Sequence, residues 1–145
     1  MGKMKHNAVI FDLDGTLRDV NGRIPYGVTV KDECINDLPI EPIIDLTRLY
    51  YHYRNTKVLI VSGCMEDARI VTMQWLNKHG VEWHELFMRP LRDYRPDEIL
   101  KAEIFHRDIK PRYDVIMAYD DRPKIVRMWR SLGIKVADVG KGEEF

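Results

Sequence analysis

The stretch "AVIFDLDGTL", residues 8–17, decides the fold. Ala8, Val9, Ile10 and Phe11 run without a polar interruption, as in a strand covered on both faces. The run ends at Asp12, and Asp14, Gly15 and Thr16 follow at once. In an extended segment side chains two apart point the same way, so Asp12 and Asp14 are expected side by side. Two such carboxylates repel, and burial adds to the cost. A bound cation relieves both effects. Gly15 allows a sharp turn and lets backbone N–H groups approach an anion, while Thr16 offers a hydroxyl at the same place.

Outward from this stretch, apolar runs alternate with helical patterns. That alternation predicts an α/β fold, a Rossmann-like central parallel sheet flanked by helices. Strands are expected at 8–11, 57–61, 86–88, 115–119 and 135–139. The segment "PIIDLTRLYYHYR" from Pro42 has Ile43, Leu46, Leu49 and Tyr50 on one stripe, with Asn55 placed to close the helix. Further helices are expected at 65–79, closed by Gly80, at 96–109, and at 123–132, stopped by Gly133. Residues 18–40 are rich in turn formers and read as an irregular excursion. In an open parallel sheet, loops at the carboxyl ends of strands form one ligand-binding edge. Asp12, Asp14, Ser62, Gly63, Asp120 and Asp121 all fall at such ends.

Composition narrows the setting. The 145 residues suit one domain, 1–145, with a proper core. With 23 basic and 23 acidic residues the formal charge is +0, so attraction to phosphate must be local. The two cysteines, Cys34 and Cys64, form no C-x-x-C pair, which argues against a disulfide framework or a zinc site. The basic N-terminus lacks the apolar core of a signal peptide, and no membrane span follows. A cytoplasmic protein with free thiols is expected, and no membrane partner.

These residues suit phosphoryl chemistry. An oxygen-only set, with Asp120 and Asp121 added to the first two acids, suits Mg²⁺ completed by a substrate phosphate. One carboxylate can attack phosphorus, and the other can protonate the leaving oxygen and later activate water. Ser62 and the backbone after it are expected before a helix N-terminus, a natural phosphate seat. A lysine would neutralise the transferring group. Asp121, before Arg122 and Pro123, also fits a helix N-cap. Arg89, Arg92 and Arg95, with Tyr94, make a local basic patch that reads as a solvated loop or a nucleic-acid contact.

The order Phe-Asp12-Leu-Asp14-Gly-Thr, Val-Ser62-Gly63, Lys101 and Tyr-Asp120-Asp121 resembles the haloacid dehalogenase (HAD) superfamily of phosphotransferases. "GRIPY" at 22–26, "RDYRPDEILKAEIF" at 92–105 and "DDRPKIVRMWRSLGIKV" at 120–136 are similar to the 3′-phosphatase domain of bacteriophage polynucleotide kinase/phosphatase. The resemblance implies Asp12 as nucleophile and Asp14 as general acid/base. It implies Mg²⁺ held by Asp12, the backbone carbonyl of Asp14, and one or both of Asp120 and Asp121. Ser62 and Lys101 would hold the phosphoryl group, with Thr16 and Gly63 beside them. Arg23 and Asp97 sit where that phosphatase has functional residues. No G-x-x-x-x-G-K-[ST] sequence occurs, so phosphatase chemistry alone is expected. The implied substrate is the 3′-phosphate of a DNA or RNA end. A separate kinase or ligase is the implied companion, and a homo-oligomer is compatible with the sequence.

Cys64 stands where the family usually has a phosphate-binding arginine. Arg69, five residues on, is expected to reach back toward the phosphate in its place. A cysteine phosphatase would need C-x5-R, whereas Cys64 to Arg69 is C-x4-R. Residues 18–40 are too few for a cap domain, so an open site is expected, suited to a phosphate on the end of a large molecule. The alternative is a small nucleotide or sugar phosphate. A phosphoacceptor signalling domain is a further reading, but it places its acids in a different order.

Overall fold

The computed structural model describes residues 4–20 and 34–144. Five parallel strands form the sheet, β1 (His6–Phe11), β4 (Lys57–Met65), β5 (Glu85–Arg89), β6 (Tyr113–Asp120) and β7 (Val136–Asp138). Their spatial order is β5-β4-β1-β6-β7. β2 (Arg18–Asp19) and β3 (Leu38–Pro39) pair as a short antiparallel ribbon just after β1.

The apolar run that opens the chain is the middle strand. Val9 and Phe11 face one core cluster, and Ala8 and Ile10 face the other. Both faces are therefore dry, which is why the strand reads as continuous rather than alternating. Helices α1 (Glu41–Tyr53) and α2 (Arg69–Lys78) contribute to the first cluster, which holds the buried Trp75. Helices α3 (Asp97–Ile104) and α4 (Pro123–Ser131) contribute to the second, which holds the buried Trp129.

Register sets the site. Phe11 pairs with Ile60 on β4 and with Tyr119 on β6. Asp12 and Asp120 follow these residues directly, and Ser62 comes two residues after Ile60, so all three emerge near the carboxyl edge. Among the described residues nothing larger than the β2–β3 ribbon is inserted between β1 and α1.

Several local expectations need correction. β4 continues through Met65 instead of stopping at Val61, and a 3₁₀ turn, Glu66–Ala68, precedes α2. Ser62 and Gly63 thus lie in a strand, not before a helix N-terminus. The register against β5 shifts between Val61 and Met65, so Ser62, Gly63 and Cys64 make a bulge. The helix expected at 96–109 is α3 followed by a π-helical turn, Phe105–Ile109, closed by Lys110 N–H donating to the Phe105 carbonyl at 2.7 Å. The N-cap of α4 is Arg122 rather than Asp121. Asn55 follows α1 with φ +47°, the left-handed conformation that ends helices.

Candidate active site

The Asp12 N–H donates to the Tyr119 carbonyl at 3.0 Å, which ties the first acid to β6. The chain then turns tightly, with Leu17 N–H and Arg18 N–H both donating to the Leu13 carbonyl. Gly15 makes this turn possible with φ +86°. A Cβ there would stand 2.1 Å from Asp121 Oδ2, so glycine also makes room for the third acid.

Asp12, Asp120 and Asp121 each offer a carboxylate oxygen, all within 4.8 Å of one another. Lys101 on α3 reaches them from the second core face. Its Nζ is 2.7 Å from Asp12 Oδ1 and 3.2 Å from Asp120 Oδ2. The Thr16 hydroxyl donates to Asp12 Oδ2 at 3.1 Å and lies 3.4 Å from Asp121 Oδ1. Lys101 is 2 % exposed and Asp120 1 %, so this is a charge cluster within the interior. Burial works against the ammonium, but Asp12 and then Asp120 outweigh it and raise its pKa. Burial, and after it Asp12, raises Asp120 to about 6 and Asp121 to about 9. One lysine does not balance three acids, which is the situation that recruits a cation.

Asp14 takes a different course. The close carboxylate cluster is formed by Asp12, Asp120 and Asp121, and Asp14 has partners of its own. Arg18 Nε pairs with Asp14 Oδ1, and the Cys64 thiol donates to Asp14 Oδ2 at 3.1 Å. Burial, followed by Asp14, pushes the Cys64 thiol pKa up, so it is a neutral donor and not a thiolate nucleophile.

A family model for the polynucleotide kinase PNKP phosphatase domain matches residues 6–144. The chain belongs to the PNKP phosphatase domain family. It is 32% identical over 131 residues to a putative bifunctional polynucleotide kinase/RNA ligase of Autographa californica nuclear polyhedrosis virus. That match covers 88% of this chain and 18% of the viral protein. A solved chain of the Pnkp1/Rnl/Hen1 RNA repair complex superposes with TM-score 0.89 at 35% identity, over 96% of this chain and 44% of the other. A second solved Pnkp1/Rnl/Hen1 complex gives 0.90 at 34%, over 98% and 48%. The chain thus spans under half the length of these relatives. A class C acid phosphatase from Bacillus anthracis, at 16% identity and TM-score 0.61, shares the HAD fold.

In this PNKP phosphatase domain the other expected site residues stand as follows. Ser62 is buried, and its hydroxyl accepts from Cys64 N–H at 3.1 Å. Gly63 lies against Asp97; a Cβ on it would stand 2.8 Å from Asp97 Oδ1. Asp97 in turn accepts from Arg89 Nη2 and from Arg122 Nη1, the latter at 2.7 Å. Arg89 is not a solvated loop residue. It is buried, and its guanidinium also donates to the carbonyls of Gly63, Asp93 and Arg95. It is the strut joining the β4 bulge to the loop before α3.

Arg95 is part-exposed and pairs with Asp93 and Glu103. Arg69 opens α2, where its Nε and Nη2 bind Glu66 at 2.7 and 2.9 Å and Nη2 also reaches the Leu86 carbonyl at 2.9 Å. The fold therefore gathers Asp12, Asp14, Thr16, Ser62, Gly63, Asp97, Lys101, Asp120 and Asp121, but leaves Arg69 and Arg95 in ion pairs of their own. Arg23 lies outside the described residues. Arg18 was missed by sequence reasoning, because it falls in the stretch read as irregular. Its one signal is a basic residue four places after Asp14 across a tight turn.

Proposed function

We propose that this domain is an Mg²⁺-dependent phosphatase that removes the 3′-phosphate from nucleic-acid ends through an aspartyl-phosphate. The observation that carries the reading is Asp12, held by Lys101 and Thr16 at the mouth of β1 beside Asp120 and Asp121. The donors suit Mg²⁺: they are hard oxygens, and three carboxylates offer oxygens within 4.8 Å of one another beside a single lysine. Asp12, Asp120, Asp121 and the backbone carbonyl of Asp14 would hold it. When bound it supplies charge neutralisation for the phosphoryl oxygens.

Asp12 attacks phosphorus as the bond to the ester oxygen breaks. Asp14 gives its proton to that departing oxygen, which leaves as the 3′-hydroxyl. Water then attacks the aspartyl-phosphate, Asp14 takes up the water proton, and inorganic phosphate departs from a regenerated Asp12. Lys101 stabilises the charge gathered on Asp12 and the transferring group. The Ser62 hydroxyl and the bulge backbone seat the phosphoryl oxygens.

The relatives named as polynucleotide kinase/RNA ligase and as parts of an RNA repair complex favour an RNA end, cleared ahead of joining by a ligase. Among the described residues only the short β2–β3 ribbon lies between β1 and α1, an arrangement that suits a phosphate on a long chain. Phosphate release from a 3′-phosphorylated oligonucleotide should exceed that from a 5′-phosphorylated one and from a 3′-mononucleotide, and should stop with chelator. Asp12→Asn should abolish it, since an amide forms no acyl phosphate. Near wild-type hydrolysis by that variant would remove the mechanism. Equal kcat/KM on mononucleotide and oligonucleotide would remove the polymer substrate.

A further inference from the structure

The loop 90–96 leaves β5 at the carboxyl edge of the sheet and leads into α3. A single buried guanidinium ties it to the site. Arg89 Nε donates to the Gly63 carbonyl at 2.8 Å, and Nη1 donates to the Asp93 and Arg95 carbonyls at 3.0 and 2.7 Å. The loop backbone thus lies one guanidinium away from the β4 bulge. The loop is also braced from within. Asp93 N–H donates to the Pro90 carbonyl at 3.2 Å, and Arg95 N–H donates to Asp93 Oδ1 at 3.1 Å. The Arg95 side chain is drawn off to Asp93 and Glu103. Between these two held residues Tyr94 is 80% exposed. Its ring meets no other ring, and its hydroxyl has no hydrogen-bond partner among the described residues. Arg92 is exposed, with φ +62°, a conformation that residues with a Cβ seldom adopt. It forms no ion pair among the described residues.

We propose that Tyr94 is a stacking platform for a base of the strand that carries the 3′-phosphate, with Arg92 set against a backbone phosphate of the same strand. The inference rests on the polynucleotide reading above. An aromatic ring receives any base, because every base has a π-face. A guanidinium on a phosphate adds affinity without reading sequence. With a formal charge of +0, the protein must attract a strand locally. Of the three arginines near this loop, Arg89 is buried and Arg95 is paired, which leaves Arg92 to meet an anion. Both contacts lie outside the phosphate seat, so only a substrate larger than its phosphate reaches them. Tyr53 makes the contrast: it is equally exposed, but it ends α1 just before β4 begins, at the opposite edge of the sheet.

The test measures KM and kcat for wild type, Tyr94→Ala, Tyr94→Phe, Arg92→Ala and Tyr53→Ala. The substrates are a 3′-phosphorylated oligonucleotide, the same backbone without bases, and glycerol phosphate. Tyr94→Ala should raise KM on the oligonucleotide about fivefold or more, with kcat within about twofold. On the base-free backbone it should lose much less. Tyr94→Phe keeps the ring and should keep the wild-type KM. Arg92→Ala should raise KM on both polymers and lower the slope of log KM against log salt by about 0.7, the share of one phosphate on a single strand. Tyr53→Ala should change neither polymer. An equal loss on the two polymers from Tyr94→Ala, no loss at all, or a Tyr94→Phe as weak as Tyr94→Ala overturns the stacking role. An unchanged salt slope in Arg92→Ala overturns the phosphate contact. A wild type that does not favour the oligonucleotide over glycerol phosphate would remove the polynucleotide reading, and this proposal with it. A clear preference for the oligonucleotide that survives both loop variants would remove only the role of the loop.

Discussion

Lys101 is the residue on which the cluster depends. A fully desolvated ammonium between Asp12 and Asp120 is costly to build, and costlier to break. Lys101→Met leaves the buried acids facing one another. It should cost about 3–5 kcal/mol, the range for removing one partner of a buried pair, read by denaturant unfolding in the presence of chelator. Added Mg²⁺ should recover part of that loss, and a variant as stable as wild type would mean that the pair carries little. Arg69 makes the contrast. Its pair with Glu66 is about one-third exposed on each side, and such pairs contribute about 0–1 kcal/mol. Arg69→Ala should leave kcat/KM on a 3′-phosphorylated oligonucleotide within about twofold of wild type. A tenfold fall would return Arg69 to the phosphate.

At the scale of elements, the turn after β1 and the bulge at the end of β4 do the positioning. Gly15→Ala meets two penalties together, a positive φ and a Cβ driven into the Asp121 carboxylate. Asp121 must move, so metal affinity should fall more than global stability. Isothermal titration with Mg²⁺ beside thermal melting of the metal-free protein separates the two. Unchanged affinity would show that Asp121 is no ligand. The sequence announced the turn through its glycine, because a left-handed residue has a chemical signature. It did not announce the bulge: Ser62, Gly63 and Cys64 carry no apolar period, and only the register of β4 against β5 makes them strand.

For the whole molecule, the consequence of three acids on one edge is a stability that depends on pH. Unfolded, Asp121 gives up its proton near the model-peptide value of 3.8; folded, it keeps it up to about 9. The native state therefore binds more protons between those values, and the contribution to stability falls as pH rises through that window. The metal-free protein should melt progressively lower from about pH 6 to about pH 9, and Mg²⁺ should flatten the slope. Asp121→Asn should raise the melting temperature at the alkaline end and remove most of the metal effect. A slope unchanged in that variant would place its origin elsewhere.

The sequence by itself determined the strand–helix alternation, the apolar middle strand and the motif order from Asp12 to Asp121. These are readable because period, turn chemistry and residue type are local properties. Asp12, Asp14, Lys101, Asp120 and Asp121 could be named from that order before any distance was known. Only the tertiary structure decided which of two acids two residues apart joins the lysine and which meets an arginine. No pattern in the chain states which neighbouring strand or turn each side chain will meet. Likewise, whether Arg18, Arg69 or Arg89 is buried or paired off depends on which strands lie beside it. Three arginines of equal intrinsic charge thus became a buried partner of Asp14, a part-exposed pair and a buried strut through packing alone.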